Sequence, residues 1–427
     1  IIMRLMKRRS YKYRIYPNKT QIQLLNRFFG SKRFAWNTCL AWRSNIYKEY
    51  SESVTGIDFS RELTELKKLE SYRWLKDTPT TVYSQALRDQ DAAFRKFFKE
   101  GAGYPRFKSR HQLQSIRFQL DQRVIVKYYK AGELLKIPGL GQIKVRWTRV
   151  PEGLPKMVTV SKDSAGRYFV SMAVEEDIQS LSAVGKTVGI DLGINQVMTL
   201  SDGAQFDNPR HLLKKKVQLK CLQQRLARQQ KGSNRRLKTK FRIAKLHTRI
   251  ADERHAYIHQ ITRRMINENQ VIMIEDLNVS GLSRSSKGTL DNPGKKVKQK
   301  SGLNRSILDV SFGEITRQLE YKSDWYGRTL IKVDRFFPSS KLCSTPGCDY
   351  KAEKLPLKIR TWTCPQCGVV HDRDINAAKN IEIEGLTQLA PVGTKGPQLR
   401  DAGGEGVYPM AVSPRSLDQP NACLEQV

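Results

Sequence analysis

The chain has 427 residues, with 76 Lys plus Arg against 41 Asp plus Glu, a formal charge of +35 and a pI near 10.0. That length exceeds a small peptide module and accommodates two or three domains of roughly 100 to 200 residues, and the charge selects a polyanionic partner, expected to be nucleic acid. A membrane is excluded as a site of insertion, because no apolar run approaches the ~18 residues needed to span a bilayer. The basic start Met3-Arg4-Leu5-Met6-Lys7-Arg8-Arg9 lacks a secretory signal pattern, so a cytosolic protein starting at Met3 or Met6 is expected.

Residues 11–16, Tyr-Lys-Tyr-Arg-Ile-Tyr, alternate polar and apolar and predict a strand, after which Pro17 and Asn18 punctuate and Thr20 opens a helix. Apolar Ile22, Leu25, Phe28 and Phe29, then Phe34, Trp36 and Leu40, predict a helical segment bent at Gly30. Helices over 58–69 and 79–99 complete a helical subdomain, 19–102, closed by Gly101-Ala-Gly-Tyr-Pro105. Next comes a basic aromatic strip in which Arg106, Lys108 and Arg110 are candidate phosphate contacts. Residues 103–182, joined by the strand in 1–18, read as a small antiparallel β-module with runs at 124–128, 143–147, 157–160 and 168–174.

Val188-Gly-Ile-Asp-Leu-Gly193, the run 197–200 and the turn Ser201-Asp-Gly203 predict a hairpin that begins a second sheet. Residues 209–269 predict a long helical hairpin broken at Gly232-Ser-Asn234, with Leu237, Phe241, Ala244, Ala251, Ile258 and Met265 at steps of three, four and seven. From Arg210 to Arg254 there are 16 Lys or Arg and 2 acids. A solvated helix face normally mixes signs, so this one-sided charge predicts a phosphate track. Then follow an expected strand at 271–275, a mobile basic loop at 279–301, a helix at 304–326, a strand at 330–333, the cysteine cluster and a helix from about Asn376. Periodicity stops beyond residue 384, which predicts a disordered tail, 385–427. No internal repeat is found.

Phosphodiester hydrolysis by two metal ions needs carboxylates that hold the ions about 4 Å apart, so that attacking water and leaving oxygen are both stabilised. Hard ions such as Mg²⁺ or Mn²⁺ prefer these oxygen ligands. Asp191 stands inside an apolar strand, where a lone Asp is costly to bury. Glu275 ends Val-Ile-Met-Ile in the same manner, and Asp374 lies in His371-Asp-Arg-Asp-Ile-Asn-Ala-Ala378 at the start of a helix. Each alone reads as a cap or an ion-pair partner; together, in this order, they predict a catalytic metal site. Asp372 rivals Asp374 as third ligand, and Asp374 is preferred for its place two residues before Asn376-Ala-Ala. Gly-Ile-Asp-Leu-Gly also opens the actin-like sugar kinase and chaperone ATPase fold, but residues 270–384 lack the glycine-rich loops that would cradle phosphates.

Cys343-x4-Cys348 and Cys364-x2-Cys367, separated by 15 residues, offer four thiolates for a closed, structural, tetrahedral Zn²⁺ site. The first pair is wider than the common Cys-x2-Cys. In a reducing cytosol clustered cysteines are metal ligands more often than disulfides, whereas Cys39, Cys221 and Cys423 read as isolated thiols. His371 is expected to pack against or support the site rather than to transfer protons.

These motifs resemble the TnpB (OrfB) family of transposon-associated RNA-guided DNA endonucleases, which are related to type V CRISPR effectors. The resemblance is carried by Tyr13-Arg-Ile-Tyr-Pro-Asn18, Gly103-Tyr-Pro-Arg-Phe-Lys-Ser109, Gly189-Ile-Asp-Leu-Gly193, Ile274-Glu-Asp-Leu-Asn278, Phe337-Pro-Ser-Ser-Lys-Leu-Cys343, Thr361-Trp-Thr-Cys-Pro-Gln-Cys-Gly368 and Asp372-Arg-Asp-Ile-Asn-Ala-Ala378. It implies an α+β multidomain architecture in which a RuvC/RNase H-like α/β nuclease domain, 183–340 and 371–384, carries an inserted zinc module, 341–370. A helical recognition subdomain and a small antiparallel β-barrel-like wedge module precede it. It further implies that Asp191, Glu275 and Asp374 are the RuvC carboxylates, that the guide is an RNA from the transposon end, and that the target is double-stranded DNA. In this family the protein reads a short flanking motif while base pairing reads the rest, and the third helix around Thr80, Thr81 and Ser84 is the expected reader. A prokaryotic, nucleoid-associated location follows. Relatives that lose a carboxylate act as RNA-guided repressors; this chain keeps all three. The rival readings are a non-cleaving repressor or regulator of transposition, and a transposase that recognises transposon ends without RNA.

Overall fold

The computed structural model describes residues 6–119, 134–356 and 358–389. The chain divides into two compact units, one within 1–179 and 211–256, the other within 180–210 and 257–427.

In the first unit, strand β1 (Met6–Tyr16) buries Tyr11, Tyr13 and Ile15, the alternation its sequence predicts. It lies in a six-stranded antiparallel sheet, ordered β2-β5-β6-β1-β4-β3, with β2 (Gln114–Gln119), β3 (Leu134–Ile137), β4 (Gly141–Arg146), β5 (Met157–Lys162) and β6 (Tyr168–Asp177). Among the described residues β2 and β3 stand at its two edges, and the small antiparallel barrel-like module expected takes the form of a half-barrel. The expected strand at 124–128 lies outside the described residues. Helix α1 (Lys19–Tyr50) opens with a reciprocal cap: Asn18 Oδ1 accepts from the Gln21 amide and Gln21 Oε1 accepts from the Asn18 amide. It runs unbroken through Gly30 and packs Leu25, Phe28 and Phe29 on the sheet. Helix α2 (Gly56–Leu66) stops earlier than expected, and residues 70–77 form a 3₁₀ segment before α3 (Thr80–Glu100). The basic hairpin has α4 (Lys216–Arg228) and α5 (Asn234–Glu268) as its arms. Both acids among its cations are already paired, Asp252 with Arg167 at 2.6 Å and Glu253 with Arg249 at 2.8 Å.

The second unit is built on a five-stranded sheet ordered β11-β10-β7-β8-β9: β7 (Thr187–Asp191), β8 (Gln196–Leu200), β9 (Gln205–Asp207), β10 (Val271–Glu275) and β11 (Thr329–Val333). Strands β7, β10 and β11 run parallel, while β8 and β9 are antiparallel additions. The parallel strands read as continuous apolar runs because both of their faces are covered. On one face Ile190, Ile272 and Ile274 join Ile258, Ile261 and Met265 of α5, Ile307 of α6 (Val297–Val310), and Ile315 and Leu319 of α7 (Phe312–Tyr326). On the other, Met273 and Val333 meet Ile381 of α8 (Arg373–Leu389).

Three expectations are corrected in this unit. The helix read as 304–326 is two helices, interrupted where Ser311, itself neither Gly nor Pro, takes a left-handed φ of 62°. The segment read as the loop 279–301 contains a helical turn at Val279–Leu282 and the first residues of α6. Helix α8 begins at Arg373 and extends to Leu389, so residues 385–389 are helical; the rest of the expected tail, with Cys423, lies outside the described residues. Among the described residues no helix is long and apolar enough to cross a membrane.

Two glycines set how closely α8 approaches the sheet. A Cβ on Gly189 of β7 would meet the Ala378 carbonyl oxygen at 2.1 Å and the Glu382 amide at 2.6 Å, and one on Gly385 would meet Met273 Cγ at 2.3 Å. Gly189→Ala is expected to cost about 2–4 kcal/mol in urea unfolding, the scale of overpacking plus lost contacts. Gly313→Ala, whose Cβ would enter open space in α7, is expected to be neutral or stabilising by up to about 1 kcal/mol.

Candidate active site

The close packing of α8 on β7 brings the three predicted carboxylates together. Asp191 and Glu275 end adjacent parallel strands, each just past the last β7–β10 pair, Ile190 with Ile274. Asp374 comes from the first turn of α8, and both Glu275 and Asp374 act electrostatically on Asp191. Burial first, then repulsion from Glu275 and Asp374, pushes the Asp191 carboxyl up to about 7, against smaller opposing effects from Arg373 and Arg360. Burial also raises Glu275, partly offset by Ser339, whose hydroxyl donates to Glu275 Oε1 at 2.5 Å. Asp374 is held differently: the Arg360 Nη1 donates to its two oxygens at 3.1 and 3.2 Å. Glu275 and Asp374 both oppose ionisation of Asp191, and the hard oxygen donors of the three groups are of the type that suits a divalent cation, whereas among the described residues it is the four cysteines whose ligand atoms already lie within 4.8 Å of one another.

Asp372 has another occupation. Its Oδ1 accepts from the backbone amides of Asp374 and Ile375, both at 3.0 Å, so it caps α8.

The zinc module lies between β11 and α8. Strands β12 (Thr361–Thr363) and β13 (Val370–Asp372) pair antiparallel, and the ligand atoms of Cys343, Cys348, Cys364 and Cys367 all lie within 4.8 Å of one another, a set that could hold a structural zinc. The wide first spacing is accommodated by a turn in which Gly347 has φ 77°. His371 supports the cluster: its Nε2 is 3.1 Å from Cys343 Sγ and its ring packs 5.0 Å from Trp362.

Sequence reasoning missed the residues that join this module to α8. Asn376 Nδ2 donates to the Leu342 carbonyl at 2.7 Å and its Oδ1 accepts from the Ser344 amide at 3.0 Å. Asn380 Nδ2 donates to the carbonyls of Ser339 and Leu342, at 2.7 and 2.8 Å. The available signal was their spacing of four, which puts two buried amides on one helix face.

The remaining candidates belong to the first unit. Thr80 is exposed at the start of α3, Ser84 donates back to the Thr80 carbonyl at 3.2 Å, and the buried Thr81 hydroxyl has no hydrogen-bond partner. Arg106, Lys108 and Arg110 are exposed after α3.

Three family models match: one described as "Probable transposase" (OrfB_IS605) over residues 169–286, a "Cas12f1-like, TNB domain" over 312–381, and a "Helix-turn-helix domain" (HTH_OrfB_IS605) over 3–52. A Streptomyces pristinaespiralis protein named as an RNA-guided DNA endonuclease is 39% identical over 385 residues, covering 90% of each chain. The similarly named InsQ of Escherichia coli is 34% identical over 387 residues, covering 90% of this chain and 94% of its own. Among solved structures, a Cas12f1–sgRNA–target DNA complex is similar over 88% of this chain and 99% of that one, at 13% identity and a TM-score of 0.45. The chain belongs to the TnpB (OrfB) family.

Because folding raises Asp191 from 3.8 to about 7, the folded chain binds the extra proton in that window, and this group's stabilising contribution is lost as pH rises through it. In metal-free protein, Asp191→Asn is expected to match wild type near pH ~4 and to be more stable by on the order of 4 kcal/mol at pH ~8. Urea titrations across that range check the expected divergence.

Proposed function

We propose that the chain is an RNA-guided DNA endonuclease that cuts double-stranded target DNA at a single RuvC-like site formed by Asp191, Glu275 and Asp374. The observation that carries this reading is the approach of those carboxylates at the ends of β7 and β10 and the start of α8, where burial first and the other two carboxylates second raise Asp191. The sheet order, with two antiparallel strands on one side of β7 and two parallel strands on the other, supports an RNase H-like domain. The names of the relatives from Streptomyces and E. coli support both the guide and the substrate.

The three carboxylates would hold Mg²⁺ or Mn²⁺, which when bound supplies Lewis-acid stabilisation of the phosphoryl oxygens and a more acidic water. Ser339 fixes one oxygen of Glu275, and Arg360 fixes Asp374 until a cation competes for it. Asp374 is the third ligand in this reading, since Asp372 is committed to the helix cap. The zinc module holds the start of α8, and so Asp374, in place through Asn376 and Asn380. The cationic hairpin tracks nucleic-acid phosphates, with Arg106, Lys108 and Arg110 adding contacts. Thr80, Thr81 and Ser84 would read the flanking motif, the guide would derive from the transposon end that encodes the protein, and the complex would act in the prokaryotic cytoplasm.

Protein purified with its co-purifying RNA is expected to cut guide-matched DNA in Mg²⁺, and Asp191→Ala to cut at least ~10³-fold more slowly. Equal cutting by both would sink the nuclease assignment; cutting that survives RNase treatment would sink the guide. The two aspartates also separate. Asp374→Asn is expected to abolish cutting with little change in Tm, whereas Asp372→Ala is expected to lose about 1 kcal/mol of stability and keep the cut.

Zinc removal tests the support. Chelation, or Cys364→Ser, is expected to eliminate bound zinc by elemental analysis, lower Tm, and reduce cutting in proportion to the loss of structure around α8.

A further inference from the structure

The first unit contains a cavity of about 460 Å³ that the nuclease chemistry does not use. Its size falls in the roughly 300–1,000 Å³ range of ligand pockets. Lys32 and Arg33 of α1 and Lys108 line it, and Asp89 is the one acid among the lining residues. Asp89 is already shared: Oδ2 lies 3.4 Å from Lys32 Nζ and Oδ1 lies 3.3 Å from Arg117 Nη1. Arg33 donates to the neutral Gln114 Oε1 at 2.6 Å, so its charge is not balanced by that contact.

The cavity wall is fixed rather than collapsed. Trp36 Nε1 donates to the Arg106 carbonyl at 3.0 Å, Asn37 Nδ2 donates to the Lys108 carbonyl at 3.0 Å, and the Lys108 amide returns a bond to Asn37 Oδ1 at 2.8 Å. Gln114 Nε2 closes the strip by donating to the Gln112 carbonyl at 2.6 Å. Lys108 Nζ stands 4.5 Å over the Trp36 ring, which places its charge at the cavity.

We propose that this cavity is a phosphate-binding subsite that captures one backbone phosphate of the nucleic acid the protein carries. The assignment of the phosphate to nucleic acid rests on the function proposed above; the anion site itself does not. Its cations are costly to keep together without an anion. Burial lowers Lys32, Asp89 pulls it part of the way back and Arg117 and Lys108 add smaller repulsions, while burial followed by Arg110 lowers Arg33. A phosphate would relieve both costs and accept the forked donors of Arg33.

The test uses full-length protein, inorganic phosphate in calorimetry, and labelled RNA and DNA 12-mers of one sequence in anisotropy titrations over a range of salt. Arg33→Gln should remove phosphate binding, weaken oligonucleotide binding about five- to tenfold, and reduce the slope of log K against log salt by ~0.7, the value for one single-strand phosphate. Asp89→Asn should shift phosphate and oligonucleotide binding the other way. An effect confined to the RNA or to the DNA arm identifies the strand that supplies the phosphate. If both variants stay folded, with Tm within a few degrees of wild type, and neither phosphate binding nor the salt slope changes, the subsite is overturned. If inorganic phosphate binds and Arg33→Gln abolishes it, yet neither 12-mer binds wild type, the nucleic-acid reading is overturned while the anion site stands.

Discussion

The approach of helix α8 to strand β7 is the constraint on which the second unit depends. Asp191 and Glu275 are placed by backbone hydrogen bonding between neighbouring strands, so their separation follows from sheet geometry. Asp374 has no such guarantee, because it belongs to a helix more than 180 residues away in the chain from Asp191. What brings it in is a backbone-to-backbone contact at Gly189, with a second glycine, Gly385, admitting Met273 further along the same helix. A side chain at either position would lift the helix and carry its first turn, with Asp374, away from the strand ends.

The charge distribution of the chain follows from the same demands. The densest run of cations, 16 from Arg210 to Arg254, lies mostly in the hairpin helices, where like charges on solvated faces repel weakly and counterions screen them. At the carboxylate cluster the sign reverses, and burial makes the repulsion large enough to hold a proton on Asp191 near neutral pH. Arg360 and Arg373 moderate this without neutralising it, since Arg360 is committed to Asp374 and Arg373 donates to the Pro356 carbonyl at 2.9 Å. A site left in that state has a standing affinity for cations, and a chain this basic has a standing affinity for phosphates.

How much of this was legible in the sequence depended on whether the determining interaction was local. The strand runs of β1, β7 and β10 were legible because their burial is written as alternation or as a continuous apolar run. The cysteine set was legible because ligand spacing is chemically restrictive. The break at Ser311 was not, since the left-handed conformation there is imposed by packing on both sides and Ser carries no strong preference for it. Nor could pattern alone separate Asp372 from Asp374. Both precede the same helix, and only the hydrogen bonds to the amides of residues 374 and 375 show which carboxylate is engaged at the cap. Asn376 and Asn380 were hidden for a related reason: polar residues at helical spacing normally read as a solvated face, whereas these two face a loop whose carbonyls need donors.

That loop links the four-cysteine cluster to the carboxylates. Residues 339–344 pass from Ser339, which orients Glu275, to Cys343, a member of the thiol cluster, and the two asparagines of α8 bind this stretch at both ends. A short polar segment with little apolar surface cannot be fixed by burial, because the conformational entropy of its residues exceeds what so few contacts return. A metal held by the four thiols would supply the missing constraint with a handful of residues. Through Asn376 and Asn380 that constraint reaches the helix bearing Asp374, and through Ser339 it reaches Glu275. Asp191 and Glu275 are thus placed by the sheet, with Ser339 orienting Glu275, and Asp374 by the helix that Asn376 and Asn380 tie to the cysteine segment, so the geometry of the cluster depends on both parts of the unit being folded together.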